Sequence, residues 1–490
     1  MKSSSVKKNF IYQLIYDILI MILPFLTSPY IARVIGAEGL GIYSYHYSIS
    51  YYFVLFSILG LRNYGNRTIA KCRDNEAELN STFSNLLAVH ILVSLICCVV
   101  YIAYLFVVNQ NEKIYAAIMF IQVLSGLFDI SWFYFGIEHF KLTVSINTIV
   151  KIVNVICVFV FVYNAKDLWI YCLIMAMGAL ISQIALWFPL SKYVHFVRPQ
   201  WQIMKNHIKP MLILFIPSIA VSLYKYMDKI MIGALSNKIQ LGFYENAEKV
   251  INIPTTIIAS FGTVMLPKMS NLMSTKGKNE VGRYIKVSMF YVMWLSYALT
   301  FGLASVATVF APVFWGTDFY QSGLIIMGLA ITIPFISFAN VIRTQYLIPS
   351  SRDKEFMISV VSGAIINLIV NAVLIPIKGA FGAMIGTILA EITVCAIQCW
   401  TVRKELQLFI LFKQSSPFIF LGVLMFAVVF GMGRVLSCNV ITLILQIAIG
   451  GLIYCAASFI YLYHIRKTTF LNIVNKFLNK KNNYKSKRGE

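Results

Sequence analysis

Seven ionisable side chains fall inside stretches that are otherwise apolar: Asp17, Asp129, Lys151, Lys225, Asp228, Lys229 and Glu391. Arg33 stands near the end of the stretch that holds Asp17, and Arg343 near the end of a further one. Hydrocarbon tolerates such groups only where they face protein or a water-filled cavity, so each is a candidate for function. Lys225, Asp228 and Lys229 share one helical face at i, i+3 and i+4, where one carboxylate neutralises one of two ammonium groups. Two readings stand: an internal ion pair with the other lysine reaching to the interface, or an anion clamp facing a cavity. Arg33 is either a snorkelling end residue or a cavity cation, since Pro24 and Pro29 break the helix before it and free backbone groups. Asp129 and Glu391 each stand alone in an apolar run, where a carboxyl group either hydrogen-bonds a neighbouring helix or carries a proton during transport. Asp17 reads as structural, Lys151 as a snorkelling lysine, and Arg343 as a substrate contact or an anchor near the end of its helix.

Other chemistries find no support. No G-x-x-x-x-G-K-[ST] pattern occurs, which removes a nucleotide-driven engine. The six histidines never fall at metal-ligand spacing, so no metal and no cofactor is expected. The nine cysteines sit mostly at helical positions and build neither a disulfide framework nor a zinc motif.

The elements that must position these groups follow from composition. Of 490 residues 59% are hydrophobic and only 12% charged, about half the roughly 25% of a soluble domain. Apolar runs bounded by charges or turn residues predict fourteen membrane-spanning helices near 10–35, 42–62, 83–107, 114–136, 143–163, 168–190, 208–233, 250–267, 284–310, 322–343, 356–376, 381–401, 416–434 and 440–464. With the N-terminus inside, 31 of the 41 Lys and Arg residues fall on inner connections, 7 outside and 3 within helices. Both termini are therefore expected on the cytoplasmic side, and anionic lipid, not nucleic acid, accounts for the formal charge of +22.

The chain also repeats itself. Leu40-Gly41-Ile42-Tyr43 matches Leu241-Gly242-Phe243-Tyr244 at an offset of 201, and Lys141 and Asn154 match Lys354 and Asn367 at an offset of 213. An even number of spans separates the copies, which predicts two six-helix lobes related by a pseudo-two-fold axis along the membrane normal. The expected organisation is an N-lobe at 1–205, a C-lobe at 206–405, two added helices at 406–466 and a basic cytoplasmic tail at 467–490. Paired lobes can rock about a site between them.

Four stretches resemble one family. Residues 24–41, PFLTSPYIARVIGAEGLG, are similar to the first-helix signature of Wzx-type polysaccharide repeat-unit flippases of the multidrug/oligosaccharidyl-lipid/polysaccharide superfamily. Tyr64 to Ala70, the stretches Asp228 to Gly233, Gly242 to Lys249 and Met265 to Ser270, and Arg343 to Pro349 resemble the same family in the same order. The resemblance implies an all-α, MATE-like polytopic fold and a non-enzymatic flippase in a bacterial plasma membrane. Its substrate would be an undecaprenyl-diphosphate-linked oligosaccharide for capsule, exopolysaccharide or O-antigen-type polymers. A polysaccharide polymerase complex would be a further partner, and H⁺ or Na⁺ a coupling ion. On that reading Arg33, Lys225, Lys229 and Arg343 meet the substrate, Asp228 sets the pairing of the lysines, and Asp129 or Glu391 couples the ion. A cation-coupled drug exporter of the same superfamily and a polytopic polymerase are the rival readings; short outer connections with scattered carboxylates disfavour the polymerase.

Overall fold

The computed structural model describes residues 6–464; the basic tail at 467–490 and the side chain of Asp17 lie outside the described residues. Its regular structure there is entirely helical. In chain order the helices are α1 (Val6–Ile58), α2 (Leu61–Cys72), α3 (Glu76–Leu105), α4 (Lys113–Leu127), α5 (Ser131–Gly136), α6 (Phe140–Phe161), α7 (Leu168–Ile184) and α8 (Trp201–Leu235). They continue with α9 (Lys238–Trp315), α10 (Tyr320–Leu329), α11 (Thr332–Ile342), α12 (Asp353–Lys378), α13 (Ala380–Val402), α14 (Leu408–Ser415), α15 (Pro417–Val435) and α16 (Val440–His464).

Eleven described helical segments are long and apolar enough to cross a membrane, and a bent pair, Thr317–Leu329 with Thr332–Leu347, makes a twelfth. The 53 residues of α1 cover the first two expected spans and change direction at Gly36, whose φ of 77° and ψ of 178° only glycine adopts without strain. Gly277, at φ 76° and ψ −175°, breaks α9 in the same way into segments Lys238–Thr275 and Glu280–Trp315. Fourteen spans are compatible with this arrangement. One boundary differs in a way that matters. The segment expected at 250–267 begins at Lys238, so residues 241–249, read from the sequence as a connection, are helical.

The chain packs as two compact units. The first comprises residues up to Ile253 with Phe314–Ile325 and Met357–Val394; the second comprises Pro254–Val313, Ile326–Phe356 and the chain from Cys395 onward. Within the first unit the pattern of burial is that of a bilayer protein. On α3, Asn80, Ser84, Asn85, His90 and Ser94 are buried, while Leu92, Leu95, Ile96, Val99 and Val100 are exposed. Lipid is as apolar as leucine, so association rests on close packing and interhelical hydrogen bonds. His90 Nε2 meets the Gly126 carbonyl at 2.9 Å, and Tyr101 donates to the Ala116 carbonyl at 2.8 Å. Three α3 side chains also fix the segment before α8: Asn80, Ser84 and Asn85 accept from the backbone N–H of His195, Val197 and Gln200 at 2.8, 2.9 and 2.8 Å.

The internal repeat becomes a contact in this unit. A Cβ added at Gly41 would stand 1.7 Å from the Lys238 carbonyl oxygen, and one added at Gly242 would stand 1.9 Å from that of Ala37. At the offset of 201, Gly41 corresponds to Gly242 and Ala37 to Lys238, so the two contacts are the same contact made twice. Such reciprocity is what a two-fold axis produces. Ser44 and its own counterpart, Glu245, meet directly: the hydroxyl donates to Glu245 Oε2 at 2.8 Å.

In the second unit Trp294 donates to Ser458 Oγ at 3.0 Å and Tyr454 to the Trp294 carbonyl at 2.7 Å, tying α9 to α16. Arg352 clips the start of α12, bonding Glu355 at 3.0 Å and Glu405 at 2.7 Å, and Tyr346 also donates to Glu405.

Candidate functional site

Helices α8 and α9 are joined by Ser236 and Asn237, and consecutive residues on each serve two different polar networks. Lys229 of α8 lies between two carboxylates of α9, 2.7 Å from Glu245 Oε2 and 2.8 Å from Glu248 Oε2. Lys249 approaches Glu245 Oε1 at 3.5 Å. Lys229, Glu245 and Lys249 border a cavity of about 340 Å³ inside the first unit, within the roughly 300–1,000 Å³ of small-ligand sites. Its walls carry Lys151, Lys229, Lys249 and Glu245, the tyrosines Tyr43, Tyr47, Tyr171 and Tyr226, and the small polar groups Thr27, Ser28, Ser44 and Asn154. The cavity offers cations, aromatic faces and hydroxyls together, the equipment for an anionic, hydroxyl-rich ligand.

Asp228, one position before Lys229, faces the other network. Its Oδ2 accepts from Tyr244 at 2.9 Å and lies 2.8 Å from Thr387 Oγ1, and its Oδ1 accepts from Asn371 Nδ2 at 2.6 Å. Asn371 Nδ2 also donates to Asn367 Oδ1 at 3.1 Å. The helical spacing pointed Asp228 at the two lysines; the structure turns it to the tyrosine, threonine and asparagine side chains, and Lys229 takes its carboxylates from α9. No group of three or more His, Cys, Asp or Glu side chains is arranged as metal ligands among the described residues.

The remaining expected residues are dispersed. Lys225 and Arg33 are exposed and do not line the cavity. Arg343 belongs to the second unit, where its guanidinium lies 5.4 Å from the centre of the Phe356 ring. Asp129 is buried but not isolated: it pairs with Arg62 at 3.2 Å and accepts from the Ser131 N–H at 2.9 Å, holding the start of α5. Glu391 is buried on α13.

Sequence reasoning overlooked Glu245, Glu248 and Lys249, which it left in a connection, and Lys151, which it let snorkel. A signal was present. Glu245 and Lys249 stand at i, i+4, and the repeat offset aligns Ser28 with Lys229 and Ser44 with Glu245, all four of them cavity residues. A second cluster lies elsewhere in the first unit: Glu112 meets His46 Nε2 at 3.0 Å and Lys238 Nζ at 3.3 Å, and the lysine rests 3.5 Å from the centre of the Tyr45 ring. The His46 hydrogen bond, with the Lys238 charge in support, holds the Glu112 carboxyl below the usual carboxylate range.

A chain of apolar helices long enough to cross a membrane, with polar groups gathered between them, is a multi-pass membrane protein. The family described as polysaccharide biosynthesis protein matches residues 6–273, more than half of the chain, and the chain belongs to that family. A protein of Shigella dysenteriae described as an O-antigen transporter is 23% identical over 407 residues, covering 81% of this chain and all of that protein. The fold is that of a structure titled lipid II flippase MurJ, inward closed conformation, with a TM-score of 0.78, 16% identity, and coverage of 92% of this chain and 99% of that one. An inward-facing multidrug resistance MATE family transporter of the MOP superfamily shares it more loosely, with a TM-score of 0.56, 13% identity, and coverage of 78% and 97%. The MATE-like fold expected from the sequence is thereby borne out.

Proposed function

We propose that this protein moves lipid-linked oligosaccharides across a bacterial plasma membrane, from the cytoplasmic to the outer leaflet, for the assembly of a surface polysaccharide. The observation that carries the reading is the cavity of lysines, tyrosines and hydroxyls buried in a bundle whose family and relatives are concerned with polysaccharide and O-antigen transport. A sugar-diphosphate head group cannot cross hydrocarbon unaided, and needs cations and hydrogen-bonding groups along its path. The lipid tail has no such need. In the second unit a cavity of about 660 Å³ lined by Met293, Phe301, Phe335, Phe338, Phe412 and Ile419, among others, offers a surface suited to a hydrocarbon chain.

In this scheme Lys229, held by Glu245 and Glu248, presents its charge at the cavity, while Arg33, Lys225 and Arg343 meet the undecaprenyl diphosphate at other points of the path. The ion that couples transport, H⁺ or Na⁺, is assigned to a buried carboxylate, Asp129 or Glu391. The lobes at 1–205 and 206–405 alternate access by rocking, both termini stay in the cytoplasm, and polymer type covers capsule, exopolysaccharide and O-antigen alike.

The test is a deletion strain with its priming enzyme and polymerase intact, in which the lipid-linked oligosaccharide pool is sorted by leaflet. Accumulation on the cytoplasmic face, reversed by the intact gene, is the expected result. Accumulation of single repeat units on the outer face would place the defect after flipping and overturn the reading.

A further inference from the structure

The cavity in the first unit and the Asp228 network are two versions of one place. At the offset of 201, Thr27 and Tyr43 correspond to Asp228 and Tyr244; at 213, Asn154 and Val158 correspond to Asn367 and Asn371. In the second copy the hydrogen-bonding groups answer one another. Tyr244 and Asn371 donate to Asp228, Asn371 also donates to Asn367, and Thr387 closes the cluster. The first copy has the tyrosine and the first asparagine but not their partners: a threonine stands for the carboxylate and a valine for the second amide. Space opens where those groups are shortened, about 340 Å³ of it, and Thr27, Tyr43, Asn154 and Val158 all line it. A phenol and an amide set beside an opening in place of an internal acceptor are equipped for a partner from outside, since burying such groups unanswered is costly.

The ionic groups of α8 and α9 are already matched. Lys229 is held by Glu245 and Glu248, and Lys249 by Glu245, whose Oε2 also accepts from Ser44. What the walls offer beyond that is hydrogen bonding and aromatic surface. The Tyr43 ring lies 5.7 Å from that of Tyr47 in a stacked arrangement and 4.8 Å from that of Tyr171 edge-on, and the Tyr226 ring lies 6.4 Å from Tyr47. All four tyrosines line the opening. Flat apolar faces beside phenols and an amide suit a ring that is apolar on one side and carries hydroxyl groups around its rim, which is the form of a pyranose. The volume stands at the lower end of the ligand-site range, room for a single such ring and not for a chain of them. An anionic lipid-linked substrate can therefore place one sugar here and its phosphates elsewhere.

We propose that the first-repeat cavity holds one pyranose ring of the repeat unit by stacking and hydroxyl contacts, and that Tyr43 and Asn154 give its hydroxyls the bonds that their counterparts give to Asp228 and Asn371. This rests on the flippase reading of the same site. The direct test uses full-length protein in nanodiscs and ligand-observed NMR with the methyl glycosides of glucose, galactose, N-acetylglucosamine and rhamnose. At least one should bind, and Asn154→Leu should weaken it about tenfold, the change that about 1.4 kcal/mol produces. Thr27→Asp combined with Val158→Asn rebuilds the second-repeat network in the first repeat and should abolish binding while the thermal midpoint holds, which separates loss of the site from loss of the fold. Binding of none of the four glycosides, an affinity unchanged by Asn154→Leu, binding that survives the rebuilt network, or displacement of the glycoside by inorganic diphosphate would each overturn the inference. The leaflet assay on the deletion strain judges the flippase separately. Accumulation on the cytoplasmic face without glycoside binding would remove the ring site and leave the flippase standing, whereas absence of that accumulation would remove the flippase even where the glycosides bind.

Discussion

Lys229 stands between Glu245 and Glu248 at 2.7 and 2.8 Å, and this pairing gives it a structural duty as well as a place in the cavity. Removing one partner from a buried ionic group strands the others, at a cost of about 3–5 kcal/mol. Lys229→Gln is therefore expected to lower the thermal midpoint of the detergent-solubilised protein sharply, and Lys229→Gln combined with Glu245→Gln and Glu248→Gln to recover much of the loss. If the triple variant folds and no longer flips, the lysine serves transport; if it flips normally, the triad is scaffold alone. Glu112 makes the pH argument. Its carboxyl is held below the ordinary carboxylate value, first by His46 and then by Lys238, so the stabilisation is complete above that ordinary value and fades as pH falls through the lowered one. Melting followed from neutral pH into acid should show a falling limb only below the ordinary carboxylate range, and Glu112→Gln should flatten it. The sequence made Lys229 legible as an intramembrane cation, because composition around it was apolar. Its partners were hidden, since Glu245 and Glu248 resemble loop charges until the helix that carries them is seen to begin at Lys238.

At the level of elements, the glycines explain how α1 and α9 come so close. Gly41 and Gly242 face carbonyl oxygens at distances that no Cβ could occupy, and the two contacts are equivalent by repeat. Gly41→Ala and Gly242→Ala should each separate the same pair of helices, costing about 1–3 kcal/mol as overpacking does. Because a single displacement relieves both clashes, the double variant should cost clearly less than the sum of the singles. Additive losses in a thermal-shift measurement would show that the contacts yield separately. The matching Leu-Gly-x-Tyr segments displayed the repeat in the sequence, yet offset alone does not say that equivalent residues touch. Nor could apolar runs reveal the break of α4 and α5 around Asp129, which depends on the carboxylate accepting from Ser131 and pairing with Arg62.

For the whole molecule, the distribution of Lys and Arg predicts which surface faces the cytoplasm, and an exposed thiol makes the orientation measurable. Cys438 is exposed in the connection between α15 and α16, expected on the outer side. A membrane-impermeant maleimide added to intact cells should label the protein, and Cys438→Ser should remove the labelling; protection until the cells are permeabilised would invert the topology. The overall bundle was readable from length and hydropathy because a bilayer imposes both. The cavity was not, because it depends on which side chain each repeat has shortened.

Asp228 and Lys229 are neighbours on one helix, and Tyr244 and Glu245 are neighbours on the next, with each pair divided between two polar networks. Successive residues of a helix are turned by about 100° from one another. If α8 rotated alone by that step, a carboxylate would arrive where an ammonium is needed; if α9 did, a phenol would arrive where a carboxylate is needed, and in either case both networks would fail together. The end of α8 and the start of α9 are thus keyed to each other like two gears at a single tooth, and any movement of one has to carry the other with it as one rigid hairpin.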